Sequence, residues 1–133
     1  MSSSITISGN TTRDPELVFL NSGMASVKLS VAVNRRWQNK KTQEWEERVS
    51  FFNVIAYGKS AENISTSIPK GTKVIVTGRL EQREWETDKG EKRSVVEIVA
   101  DDIGASLSSA HVTVTRNAAS ISNGSPATQE YAF

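Results

Sequence analysis

Residues 27–34 limit the folds open to this chain more than any other segment. Val27, Leu29, Val31 and Val33 alternate with Lys28, Ser30, Ala32 and Asn34. A period of two with apolar residues on one side describes a strand with one face in a core and the other in solvent. Comparable signals recur along the first hundred residues. Ile5-Thr6-Ile7 alternates up to Gly9-Asn10, which reads as a turn, and Asp14-Pro15 marks a second turn. Glu16–Leu20 reads as a short strand that ends at Asn21-Ser22-Gly23. Val49–Tyr57 carries apolar residues on both faces: Phe52, Val54 and Ala56 on one, Phe51, Asn53, Ile55 and Tyr57 on the other.

The polar stretch between them, Arg35 to Arg48, reads as a long mobile hairpin loop. After Gly58 the period changes. Ser60 is placed to cap a helix, Glu62 lies in its first turn, and Ala61, Ile64 and Ile68 share one face until Pro69-Lys70-Gly71. So narrow an apolar stripe suits a plug at the end of a barrel. Lys73–Leu80 returns to strand and continues through Trp85, with Val74, Val76, Gly78 and Leu80 facing inward. Asp88-Lys89-Gly90 forms a hairpin turn, and Arg93–Ala100 is the return strand. Asp101-Asp102-Ile103-Gly104 closes the compact region.

This order predicts an all-β chain: a five-stranded antiparallel OB-fold barrel with one short helix between its third and fourth strands. Gly78 in mid-strand fits the bending a small barrel demands. The expected organisation is a barrel domain over 1–104 and an additional strand within 105–116, through His111-Val112-Thr113-Val114-Thr115. A flexible tail rich in Ala, Ser and Asn follows over 117–133.

Composition narrows the chemistry. With 16 basic and 15 acidic side chains among 133 residues, the net charge of +1 is too small for a protein that coats duplex by charge alone. There is no cysteine, so disulfides, thiolate metal sites and a cysteine nucleophile are excluded. One histidine, His111, leaves no multi-histidine metal site and no base for a serine nucleophile. Asp101-Asp102 reads as plain surface, and no Gly-rich phosphate loop precedes a helix. The expectation is a non-enzyme with no cofactor and no metal. No apolar run approaches the roughly 20 residues of a membrane span. Met1-Ser2-Ser3-Ser4-Ile5 lacks the basic start of a secretory signal, so a soluble, cytoplasmic protein is expected.

The aromatics carry the functional signal. Trp37, Trp45 and Trp85 sit among charged or amide neighbours, in Arg35-Arg36-Trp37-Gln38, Glu44-Trp45-Glu46 and Arg83-Glu84-Trp85-Glu86. An exposed indole is unfavourable unless something covers it. Bases present flat, polarisable faces in every sequence, and a ring can stack on any of them. A neighbouring cation can meet the accompanying phosphate. Arg35, Arg36, Lys40, Lys41 and Arg48 flank the first segment; Arg79, Arg83, Lys89, Lys92 and Arg93 flank the second. These features point to a sequence-tolerant binder of single strands. The alternative is that the rings pack on loops or on another subunit. Phe51 and Tyr57, two-step partners on one face, both line a groove or both belong to a core.

The same residues resemble the bacterial single-stranded DNA-binding protein family. The resemblance rests on Gly9-Asn10 with Asp14-Pro15-Glu16, Asn34-Arg35-Arg36-Trp37, Tyr57-Gly58-Lys59-Ser60-Ala61-Glu62, Lys70-Gly71, Gly78-Arg79-Leu80 and Arg83-Glu84-Trp85. It covers about residues 5 to 104, and the run from Asp101 to Leu107 looks actinobacterial. It implies a homotetramer around which single-stranded DNA wraps during replication, recombination and repair. It also implies stacking by Trp37, Phe51, Tyr57 and Trp85, and phosphate contacts by basic residues such as Lys59, Lys70 and Arg83, with Arg35, Arg36 and Arg79 as further candidates. Phe51 stands where some members carry tryptophan, and Asn53 where some carry arginine. In the actinobacterial branch the strand after the barrel hooks onto a neighbouring subunit. The end, Glu130-Tyr131-Ala132-Phe133, departs from the acidic Pro-Phe tip by which members recruit replication and repair proteins. Two other readings stay open: an OB-fold module that binds a protein of a replication or primosome complex, and a single-stranded RNA binder.

Overall fold

The computed structural model describes residues 3–118. Its elements in chain order are β1 (Ser3–Thr11), β2 (Glu16–Phe19), β3 (Ala25–Gln38), β4 (Trp45–Tyr57), α1 (Lys59–Ser67), β5 (Lys73–Glu86) and β6 (Lys92–Ala105). The sheet order is β1-β5-β6-β4-β3-β2, and β1 also pairs with β3. Five strands therefore close into a ring, with β2 paired to β3 outside it and α1 between the third and fourth strands of the ring. The pairings are antiparallel except β4 with β6, which run parallel at Asn53–Glu97, Val54–Ile98 and Ile55–Val99. A fully antiparallel barrel was expected, and the parallel seam is where the ring shuts.

The alternating strand behaves as its period requires. Val27, Leu29 and Val31 are fully buried with Val54, Val74, Val76 and Ile98. Burying each such side chain contributes about 1.5–3 kcal/mol. Ala61, Ile64 and Ile68 of the helical segment join the same core. At the foot of β1, the buried Thr11 hydroxyl donates to the Pro69 carbonyl (2.9 Å) and accepts from the Thr72 amide (3.0 Å). These bonds fasten the turn after α1 to the end of β1. The Asp14 carboxylate accepts the Lys70 amide at 2.9 Å on the same turn.

Several expectations are corrected. Gly9-Asn10 is not a turn: β1 runs through it, and a Cβ on Gly9 would meet the Ala32 backbone where β1 crosses β3. Asp101 to Gly104 continues β6, with a register shift opposite Thr77/Gly78 that leaves Asp101 as the extra residue of a bulge. Ser60 does not cap α1; the N-cap is Gly58 at φ 76°, without a side-chain cap bond. Residues 35–48 are not a long loop. β3 and β4 stay paired out to Gln38–Trp45, and only residues 39–44 turn. Asn39 organises that turn by accepting the Lys41 amide (2.8 Å) and the Thr42 amide (3.2 Å). Residues 106–118 carry no strand pairing within the single chain, and the strand expected within 105–116 is one that pairs with a neighbouring subunit. Most of the tail, with Tyr131-Ala132-Phe133, lies outside the described residues. Among the described residues no helix is long and apolar enough to cross a membrane.

Candidate nucleic-acid interface

Register fixes which side chains share a face, because residues directly opposite one another in a sheet point the same way. Val27, Leu29 and Val31 face the core, opposite Ala56, Val54 and Phe52. The residues between them therefore face out. The outward-pointing rows are Val18, Ser26 and Tyr57; then Glu16, Lys28, Ile55, Val99 and Arg79; then Ser30, Asn53, Glu97 and Glu81, and within them Ser26, Ile55 and Val99 are buried beneath their neighbours. Ala32 beside Phe51, Val95 beside Arg83 and Arg93 beside Trp85 continue the same face. Phe51, Tyr57 and Trp85 are thus brought onto one side of the barrel, with relative exposures of 68%, 43% and 46%. Their alternative placement in a core is excluded.

The bases among them are held rather than loose. The Arg83 guanidinium lies over the Trp85 ring, 5.4 Å from its centroid, and its Nε is 3.6 Å from the Glu97 carboxylate. Arg79 pairs with Glu81 at 2.7 Å and reaches Asp101 at 3.9 Å. Between β3, β4, β5 and β6 lies a shallow depression of about 200 Å³, walled by Arg13, Lys28, Asn53, Arg83, Trp85 and Glu97. Arg13, Lys28, Asn53 and Glu97 were not among the sequence candidates. Period two would have found three of them, since Lys28 and Asn53 alternate with the core of their strands and Glu97 precedes the buried Ile98. Arg13 comes from the connection after β1 and has no such signal.

Trp37 does not join this face. It lies opposite Glu46 on the reverse side of the β3–β4 ribbon, beneath the Arg35 guanidinium at 5.7 Å. Arg36 points to the outer side and covers Trp45 at 5.0 Å. Lys59 lies on α1, 3.8 Å from Glu62, and Lys70 in the turn after it, so both sit outside the aromatic rows.

The profile of the Single-strand binding protein family matches residues 2–106. The chain belongs to the single-strand binding protein family. The Single-stranded DNA-binding protein of Corynebacterium glutamicum is 46% identical over 113 residues, covering 84% of this chain and 50% of that protein. The namesake in Mycobacterium leprae is 46% identical over 121 residues, covering 90% of this chain and 71% of that protein. This chain therefore spans only half the length of its Corynebacterium relative. The crystal structure of the small single-stranded DNA-binding protein from Streptomyces coelicolor matches with a TM-score of 0.66 at 31% identity, over 80% of this chain and 96% of that one. A Plasmodium falciparum SSB complex with ssDNA matches with a TM-score of 0.70 over 77% of this chain and 92% of that one; at 23% identity it speaks for the fold alone. The actinobacterial character read from residues 101–107 agrees with the Corynebacterium, Mycobacterium and Streptomyces relatives.

Proposed function

We propose that the chain binds single-stranded DNA with little sequence preference and protects it during replication, recombination and repair, without catalysing a reaction. One observation carries this reading: Phe51, Tyr57 and Trp85 stand exposed on a single barrel face, with Lys28, Arg79 and Arg83 among them. Rings on that face offer base-stacking platforms, each worth about 1–3 kcal/mol, and the bases between them meet the phosphates. A ring accepts any base face, so binding by stacking reads little sequence. Family membership supports the same reading. The reading includes a homotetramer, whose neighbouring subunits would cover Leu107, Val112 and Val114, exposed beyond the barrel. The protein's place is then the cytoplasm, on the nucleoid.

The test is intrinsic tryptophan fluorescence during titration with oligo-dT and with duplex of equal length, at two salt concentrations. Oligo-dT should quench and duplex should not. Log affinity should fall with log salt at a slope of about −0.7 per phosphate contacted. Equal binding of duplex, or quenching by neither, would overturn the reading.

Glu97 makes a second outcome distinctive. It is a mostly buried acid in the depression, and it occupies Arg83. Glu97→Gln should free that guanidinium for phosphate. Oligo-dT binding should tighten, and the salt slope should steepen by about 0.7. An unchanged slope would mean that Glu97 does not withhold Arg83 from phosphate.

A further inference from the structure

The ring that continues the outer face past the barrel is Trp45, not Trp37. Trp45 lies opposite Gln38, and Phe51 opposite Ala32. Both are an even number of residues from Asn53 and Tyr57 along β4, so all four side chains leave the strand on the same side. Trp37, by the same count, shares its side with Arg35 and Glu46. The ribbon is therefore two-faced, with one indole on each side and one arginine lying over each.

The sequence around Trp45 looks hostile to a polyanion, because Glu44 and Glu46 flank it. The pleat changes that. Glu46 points to the other side, opposite Trp37, while Arg36 packs over Trp45. On the outer side the residues nearest to Trp45 along the pairing are Gln38, Arg36 and Glu47. Trp45 is 61% exposed, close to the 68% of Phe51. At about 3.3 Å per residue the two positions lie about 20 Å apart along β4, a reach within that of one bound strand.

We propose that Trp45, with Arg36, is a further stacking station, taking a base of the same strand that lies on Phe51. This rests on the single-stranded DNA reading above. The occupant is an unpaired nucleic-acid segment and not a protein: the surface is continuous with the aromatic face, and it repeats the ring-plus-guanidinium pair found at Trp85. A strand that also reaches Trp37 must round the edge or the tip of the ribbon.

The experiment uses the full chain and an oligo-dT of about 16 nucleotides, the upper end of what one OB barrel accommodates. Trp45→Ala should weaken binding by about 5- to 150-fold, the loss of one stacked base, with an unchanged unfolding midpoint. Trp45→Phe, which keeps a ring, should restore most of it. In the double variant Trp37→Phe/Trp85→Phe, Trp45 is the only indole, and oligo-dT should quench it. Wild-type affinity in Trp45→Ala, or an unquenched Trp45 while the double variant binds, would overturn this station and leave the wider reading standing. Failure of the wild type to bind oligo-dT would remove both.

Discussion

Replacing Gly78 by alanine should cost about 1–3 kcal/mol of stability, the range for forcing atoms into a packed interior, and occasionally more. Gly78 lies where β5 bends beside the bulge at Asp101. A Cβ there would run into the Val99 carbonyl oxygen, with Ala100 Cα only 2.9 Å away. Both obstacles are backbone, so no side chain can rotate aside. β5 is also paired on both edges, to Ile5 on one and Ala100 on the other. Relief of the clash must therefore disturb a ladder that closes the barrel. Gly104→Ala is the matched comparison: nothing lies within 4 Å of its added methyl, so stability should hardly change. Urea titration reads the difference as a shift in midpoint at constant slope. In a domain near this size each kcal/mol corresponds to roughly 4–8 °C in melting temperature. Equal midpoints for the two variants would show that the close approach at Gly78 does not constrain the fold.

The contrast between these glycines shows what the sequence exposes and what it hides. Alternation in residues 27–33 announced a half-buried strand because burial writes a period of two into the side chains. The helix face Ala61-Ile64-Ile68 was legible for the same reason, with its own period. Barrel closure writes nothing so regular. Gly9 looks like a turn residue, yet its role is to let β1 pass close over Ala32, a contact made only after the chain has closed. The parallel seam between β4 and β6 likewise joins residues more than forty positions apart. The pair Asp101-Asp102 resembles a strand end because a bulge admits a polar residue in mid-strand.

The ribbon was misread for the opposite reason. From Arg35 to Arg48 both faces are exposed, so no side is apolar and the pattern looks like a loop. Its conformation is held instead by the backbone ladder and by the Asn39 turn. The count that places Val27, Leu29 and Val31 inward would, carried on by twos, have put Arg35 and Trp37 on that side and Arg36 on the other. The face of each tryptophan was thus available in the sequence once the segment was known to be a strand. On the barrel the sequence left two options, because Val49–Tyr57 is apolar on both faces. The register decides: with Phe52, Val54 and Ala56 turned to the core, Phe51 and Tyr57 point outward and are exposed.

Removing Phe51 and Trp85 together should produce the largest loss of binding. Each ring contributes about 1–3 kcal/mol when a base stacks on it. The two lie on different strands, each with its own cross-strand neighbour, Ala32 for Phe51 and Arg93 for Trp85. Their effects should come close to adding, so Phe51→Ala/Trp85→Ala should lose about 2–6 kcal/mol on oligo-dT. Trp85→Ala also removes the surface beneath the Arg83 guanidinium, which places its single effect toward the upper end. Both side chains are exposed, so the unfolding midpoint should move little. Because Trp85 is itself a reporter, affinity should be read by anisotropy of a labelled oligonucleotide, at low salt so that the weakened complex stays measurable. Added salt should leave the deficit nearly constant, since stacking carries no counterion term while the phosphate contacts do. A double variant that bound as tightly as the wild type would mean that bases do not lie on this face, whatever the cations beside it contact.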